Sequence, residues 1–173
     1  MKSLTRIFVL SCLFFGALGS SYASGQFFFF QNPMVGEVAP DFILETLNGG
    51  KKSLEEFRDG DPAIVFFWAT WCLHCRTQLK ELNDSAAEIQ EKGIKLVLVD
   101  LGESSSQVRA YLKDNGVSLN VFLDKTSEIA EEYGVVGIPT FYFLDKKGII
   151  QAVEHDIPEN HEALLLGKGD VAG

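Results

Sequence analysis

Two cysteines separated by two residues, in Trp71-Cys72-Leu73-His74-Cys75, stand where an uninterrupted apolar run gives way to a helical pattern. Ala63–Trp68 has no polar residue, as expected of a strand covered on both faces. From about Cys72 to Lys92 the apolar residues Leu79, Leu82, Ala86 and Ile89 recur three and four apart, and Gly93 stops the pattern. The pair therefore opens a helix directly behind a buried strand. At that place the unpaired N–H groups and the positive end of the helix dipole stabilise a thiolate on Cys72. Residues i and i+3 are neighbours on a helix, so Cys75 can reach the Cys72 sulfur. A low-pKa nucleophile beside a resolving thiol is what thiol–disulfide exchange requires.

Of three cysteines in 173 residues, the third, Cys12, lies in a segment that reads as a secretory signal. Lys2 and Arg6 precede an apolar run from Ile7 to Leu18, and Ser21-Tyr22-Ala23 places small residues at −3 and −1 of a cleavage point. Residues 1–23 are thus expected to direct export, and an uncleaved run would serve as a membrane tether. Cleavage leaves only the close pair. A structural disulfide in an oxidising compartment gains most from closing a long loop, so two exported cysteines this near read as chemistry. The net charge of −9 comes with no basic block, which excludes nucleic acid as a partner. At 46 % apolar and 23 % charged residues the chain is an ordinary globular one, long enough for one well-cored domain.

Residues 24–35, including Phe27 to Phe30, form a connector, 36–168 the domain, and 169–173 a tail. Asp41–Thr46 is expected as a strand, Asn48-Gly49-Gly50 as a turn, and Ser53–Phe57 as a short helix with a capping box from Ser53 and Glu56. After the long helix come a second buried strand (Ile94–Val99), a helix (Ser105–Asn115, ended by Gly116), a short strand (Leu119–Leu123) and a helix (Ser127–Tyr133, closed by Gly134). Thr140–Leu144 and Ile149–Val153 flank a turn as a hairpin, and Pro158–Leu166 is a last helix with Pro in its first turn. This alternation predicts an α/β fold, a central mixed sheet with helices on both faces.

Two further features bear on the site. His74 stands between the cysteines, where a protonated imidazole would favour the thiolate; the plainer reading is an exposed spacer. Pro139, in Gly137-Ile138-Pro139-Thr140, begins a strand, where it cannot donate to the ladder; the choice lies between a cis Ile138–Pro139 bond and an ordinary trans one.

Phe67 to Cys75 resembles the active-site stretch of thioredoxins, and Val136-Gly137-Ile138-Pro139-Thr140 resembles their cis-proline loop. Within that superfamily the chain is similar to the exported TlpA/ResA-like branch, through Val35 to Phe42 and through Leu101-Gly102-Glu103-Ser104 with Val108 to Val117. The resemblance implies a thioredoxin-like fold with an N-terminal extension and a central helix/strand insertion. It also implies dithiol exchange with thiols and disulfides of exported proteins in a periplasmic or equivalent compartment, fed by a membrane redox donor. The finer implication is reduction of apocytochrome c cysteines during cytochrome c maturation. By position, Cys72 is the nucleophile, Cys75 the resolving thiol and Pro139 the loop that presents the partner peptide; Ile138 beside it is expected to contact that peptide, and Trp71 and His74 are the expected tuning residues. No cofactor and no metal are implied.

The chain departs from that pattern at three positions. The branch usually has Glu three residues after the second Cys; here it is Gln78, the position otherwise expected to transfer protons. Thioredoxins proper bury an Asp where this chain has Phe66, and the branch commonly has Pro where His74 stands. The base for Cys75 is therefore left open, and Glu81, six residues past Cys75, is expected to point elsewhere. Two rival functions use the same residues. Copper binding would recruit Cys72, Cys75 and His74, with a fourth ligand from His155 or His161, both expected to be remote or exposed. A peroxiredoxin-type peroxidase would have Thr three residues before its reactive Cys; here Ala69 holds that position.

Overall fold

The computed structural model describes residues 32–165. In chain order the elements are β1 (Ile43–Thr46), β2 (Lys51–Ser53), α1 (Leu54–Arg58), β3 (Ala63–Trp68), α2 (Leu73–Glu91) and β4 (Lys95–Leu101). There follow α3 (Ser105–Asp114), β5 (Val121–Asp124), α4 (Glu128–Glu132), β6 (Thr140–Leu144), β7 (Ile150–Glu154) and α5 (His161–Leu165). The signal segment, Cys12, the four phenylalanines and the tail lie outside the described residues.

All six residues of β3 are buried, and this strand sits inside a seven-stranded sheet of order β2-β1-β5-β4-β3-β6-β7. It runs parallel to β4, from Ala63↔Lys95 to Trp68↔Asp100, and antiparallel to β6, from Ala63↔Leu144 to Phe67↔Thr140. The parallel β3–β4–β5 run and the antiparallel flanks make the sheet mixed. Alternation along each strand builds two cores. On one face Ile64, Phe66, Trp68, Leu96 and Leu98 pack under α2 (Leu79, Leu82, Ala86, Ile89) and α3 (Val108, Leu112), with Leu165 of α5 joining them. On the other, Val65, Phe67, Val97, Val99 and Tyr142 meet Leu54 of α1, Ala130 of α4 and Tyr133. Helices on both faces, as the periodicity predicts, form the thioredoxin-like α/β arrangement.

The Ser53–Glu56 capping box is present, with Glu56 N–H donating to Ser53 Oγ at 3.0 Å and Ser53 N–H to Glu56 Oε2 at 3.1 Å. Three expectations need correction. Lys51–Ser53 is a strand, β2, formed because the Gly49–Gly50 turn (φ 94 and 74) folds it back on β1; its exposed lysines hide it from hydropathy. β4 continues two residues past Val99, so that Asp100 falls inside the sheet. The last helix starts at His161, because Pro158 O accepts the His161 N–H at 3.1 Å and closes a separate turn first.

Both outer edges of the sheet are occupied or charged. Lys51 and Lys52 stand on β2. Along β7 the segment 36–39 is laid down, with Gly36 N–H on Ile150 O (2.8 Å), Ile150 N–H on Glu37 O (2.9 Å) and Ala39 N–H on Gly148 O (2.9 Å).

Leu82 is fully buried in the α2 face, so Leu82→Ala removes packing that the core cannot refill. A loss of about 3 kcal/mol is expected, against about 1 kcal/mol for Ser53→Ala at the cap. Urea unfolding with unchanged slope and shifted midpoints checks both.

Candidate active site

The antiparallel register sets the start of β6 beside the end of β3, and this brings together two segments more than 60 residues apart in the chain. Past Trp68 the chain turns, with Cys72 N–H donating to Ala69 O at 3.2 Å. Thr70 is held at every polar atom. Its N–H and hydroxyl donate to Glu103 Oε2 and Oε1, each at 2.6 Å, and its carbonyl accepts from Arg76 Nε at 2.5 Å.

Cys72 is the N-cap of α2, with extended backbone (φ −82, ψ 109), and its Sγ accepts from Cys75 N–H at 3.2 Å. No acidic residue occupies the first turn, so no carboxylate competes for the free N–H groups. Cys72 and Cys75 are joined in a disulfide with Cα atoms 5.2 Å apart. Cys75 is fully buried, whereas Cys72 keeps 8 % exposure. The Ile138–Pro139 bond is cis, and the Ile138 carbonyl oxygen lies 3.7 Å from Cys72 Sγ. Trp71, Leu73 and Val136 expose 66, 77 and 98 % of their surface around this point, an apolar rim on both sides of the disulfide.

The loop after β7 ties the two halves together. His155 Nδ1–H donates to Pro139 O at 2.9 Å, His74 Nε2 meets Asp156 Oδ1 at 2.6 Å, and Ile157 N–H donates to Gln78 Oε1 at 2.7 Å. His74 thus faces Asp156, and its pairing is exposed, with both side chains more than half open to solvent. His155 is exposed, one of its two expected placements, and it sits against the cis-proline carbonyl. Glu81 is exposed, and its Oε2 accepts from Gln78 Nε2 at 3.2 Å, an i, i+3 contact along the helix. Phe66 stacks on Phe141 at 4.3 Å, so an aromatic ring fills that position. Among the described residues no cluster of three or more His, Cys, Asp or Glu could hold a metal ion.

Sequence reasoning missed Asp100, Arg76, Asp156 and the grip of Glu103 on Thr70. A charge ending an apolar strand pattern was the available signal for Asp100. The others depend on loops that meet only in three dimensions.

A disulfide at a helix N-terminus, facing a cis-proline loop on a mixed sheet, defines a thioredoxin-fold dithiol–disulfide protein. Residues 35–153 match the profile of the AhpC/TSA family, and the chain belongs to that family. It is 32 % identical over 154 residues to the thiol-disulfide oxidoreductase ResA of Bacillus thuringiensis subsp. konkukian, covering 88 % of each chain. It is 27 % identical to ResA of Bacillus subtilis over the whole of both chains. The solved structure of StoA from Bacillus subtilis superimposes with a TM-score of 0.61 at 27 % identity, covering 73 % of this chain and 95 % of that one. A thiol:disulfide interchange protein of the thioredoxin family from Chlorobium tepidum gives 0.65 at 25 %, covering 75 and 96 %. The chain is a thiol–disulfide oxidoreductase of the ResA/DsbE type.

Gln78 is only 6 % exposed and already touches Glu81. In Gln78→Glu a buried carboxylate would face a second one, so its charged form is disfavoured in the fold and its pKa is raised above the unfolded value. The cost is then present at neutral pH and disappears as pH falls through the raised value. Gln78→Glu is expected to lose about 1–3 kcal/mol at pH 7 and to regain most of it near pH 4.5, read from urea unfolding at both pH values.

Proposed function

We propose that the chain exchanges its dithiol with disulfides of exported proteins, acting as a reductant, with apocytochrome c cysteines as a substrate class. The observation that carries this is the asymmetry of the pair. Cys72 Sγ is the partly open sulfur at the helix N-terminus, bordered by the apolar rim and the cis-proline loop, while Cys75 lies behind it.

In the forward direction the Cys72 thiolate attacks one sulfur of a partner disulfide and expels the other as thiolate. The Cys75 thiolate then attacks Cys72 Sγ, releasing the second partner thiol and closing the Cys72–Cys75 disulfide. Two electrons pass to the partner, and a membrane redox donor returns them. Ile138 and Pro139 present backbone to the partner peptide, and Trp71 and His74 tune the pair. Residues 1–23 direct export or stay as a tether, and 36–168 form the working domain. The identity to relatives named thiol-disulfide oxidoreductase supports the exchange chemistry on which this reading rests.

Cys75→Ser is expected to accumulate mixed disulfides with partner proteins, and Cys72→Ser to accumulate none; equal trapping by both overturns the assignment. Hydroperoxide turnover by the reduced protein, or tight stoichiometric copper binding, would instead favour the peroxidase or the carrier. His74→Pro should lower the reduction potential against glutathione by about 10–20 mV. That is the equivalent of under ~1 kcal/mol from one exposed, Asp156-paired charge. An unchanged potential leaves His74 as a link to the β7 loop only.

A further inference from the structure

Asp100 is fully buried, and neither of its carboxylate oxygens has a hydrogen-bond partner among the described residues. It pairs with Trp68 across the parallel β3–β4 ladder and with Leu123 on β5. Alternation therefore places it on the sheet face that carries Phe66, Trp68, Cys72 and Cys75. The groups around it are few. Glu103 lies three residues on, past Gly102, whose φ of 74 turns the chain back. Asp124 on β5 is engaged by Ala130 N–H at 2.9 Å. On the α2 side Arg76 is spent on Thr70 O and on the Tyr111 ring, and Tyr111 of α3 packs against Trp68. No cation pairs with Asp100 among the described residues.

Glu103 commits both oxygens to Thr70, two residues before Cys72. Two neighbouring carboxyls in a water-poor site cannot both carry charge cheaply. With both Glu103 oxygens already accepting, a proton held by the pair has its place on Asp100.

We propose that Asp100 is a proton-holding positioning residue for the dithiol. Neutral, it leaves Glu103 free to grip Thr70 and hold the turn that presents Cys72. Ionised, it sets a second negative charge against Glu103 and against any thiolate on the same face. Burial first, and then Glu103, push its carboxyl up to about 8, so the change falls close to neutral pH. Its ionisation releases one proton to solvent and moves no electrons. The linkage sign is fixed: a thiolate on the shared face opposes ionisation of Asp100, so its pKa is higher in the reduced protein than in the disulfide form. Equivalently, ionised Asp100 disfavours the reduced state.

This role rests on the exchange activity of Cys72 and Cys75. The test is the equilibrium of the full chain with glutathione from about pH 6 to 10, comparing the parent with Asp100→Asn. Below about pH 7 the ratio of the two equilibrium constants is expected to be flat. Through the titration of Asp100 it should shift, with the parent three- to tenfold harder to reduce than Asp100→Asn at the alkaline end. A purely structural role gives a pH-independent ratio; that result, in proteins that still equilibrate with glutathione, overturns the proposal and leaves exchange standing. Should the variant fail to fold, difference infrared spectra of the parent decide. A protonated-carboxyl band is expected near pH 6, lost at higher pH in the reduced than in the oxidised protein. No band, or one midpoint for both redox states, overturns it.

Discussion

The pairing of β3 with β6 carries the rest of the molecule. β3 is buried on both faces, so its register is held by every side chain that would otherwise change sides on a one-residue slip. That register sets Thr140 opposite Phe67, and hence Pro139 beside the turn that leads to Cys72. Neither half of the site could place the other. The helix end supplies the electrostatics for a thiolate, the proline loop supplies the backbone beside it, and the ladder fixes the 3.7 Å between Ile138 O and Cys72 Sγ.

What could be read from the sequence follows the range of the interactions involved. β3 emerges from its continuous apolar run and β6 from its place before a hairpin turn, each with the bounds the structure gives it. α2 is equally legible, since Leu79, Leu82, Ala86 and Ile89 answer to a period and Gly93 to a stop. The capping box at Ser53 is a local hydrogen-bond exchange and needs no tertiary context. β2 was hidden, for its lysines suit an outer edge and resemble loop. The start of α5 was misplaced because Pro158 fits a turn as well as a first helical position. At the site, the cysteines and Pro139 were visible as types at a spacing. Glu103 on Thr70, His155 on Pro139 and Asp156 on His74 were not, since each joins a loop to a segment tens of residues away. Where relatives place a carboxylate near the resolving thiol, Phe66 and Gln78 show none. A buried acid nonetheless stands on the same face, on the neighbouring strand and without a hydrogen-bond partner among the described residues.

The loop after β7 gives the site a second kind of order. Three consecutive residues reach three parts of it: His155 the proline carbonyl, Asp156 the spacer histidine, Ile157 the amide of Gln78. The His74–Asp156 contact is exposed and adds little stability. Its value is geometric, because the helix carrying Cys75 and the loop carrying Pro139 are held by one bracket.

The closed edges of the sheet bear on recognition. A strand can be added to a sheet only where a row of backbone donors and acceptors stands free. Here one flank bears two lysines, and residues 36–39 bond to the start of the other at Gly148 and Ile150, so lateral growth is discouraged on the β2 side and at the beginning of β7. The bare apolar surface lies instead at the tip of the sheet, where Val136 is almost wholly exposed and Cys72 is the partly open cysteine. The architecture thereby sets the disulfide at the tip of the sheet, apart from the edges where strands pair.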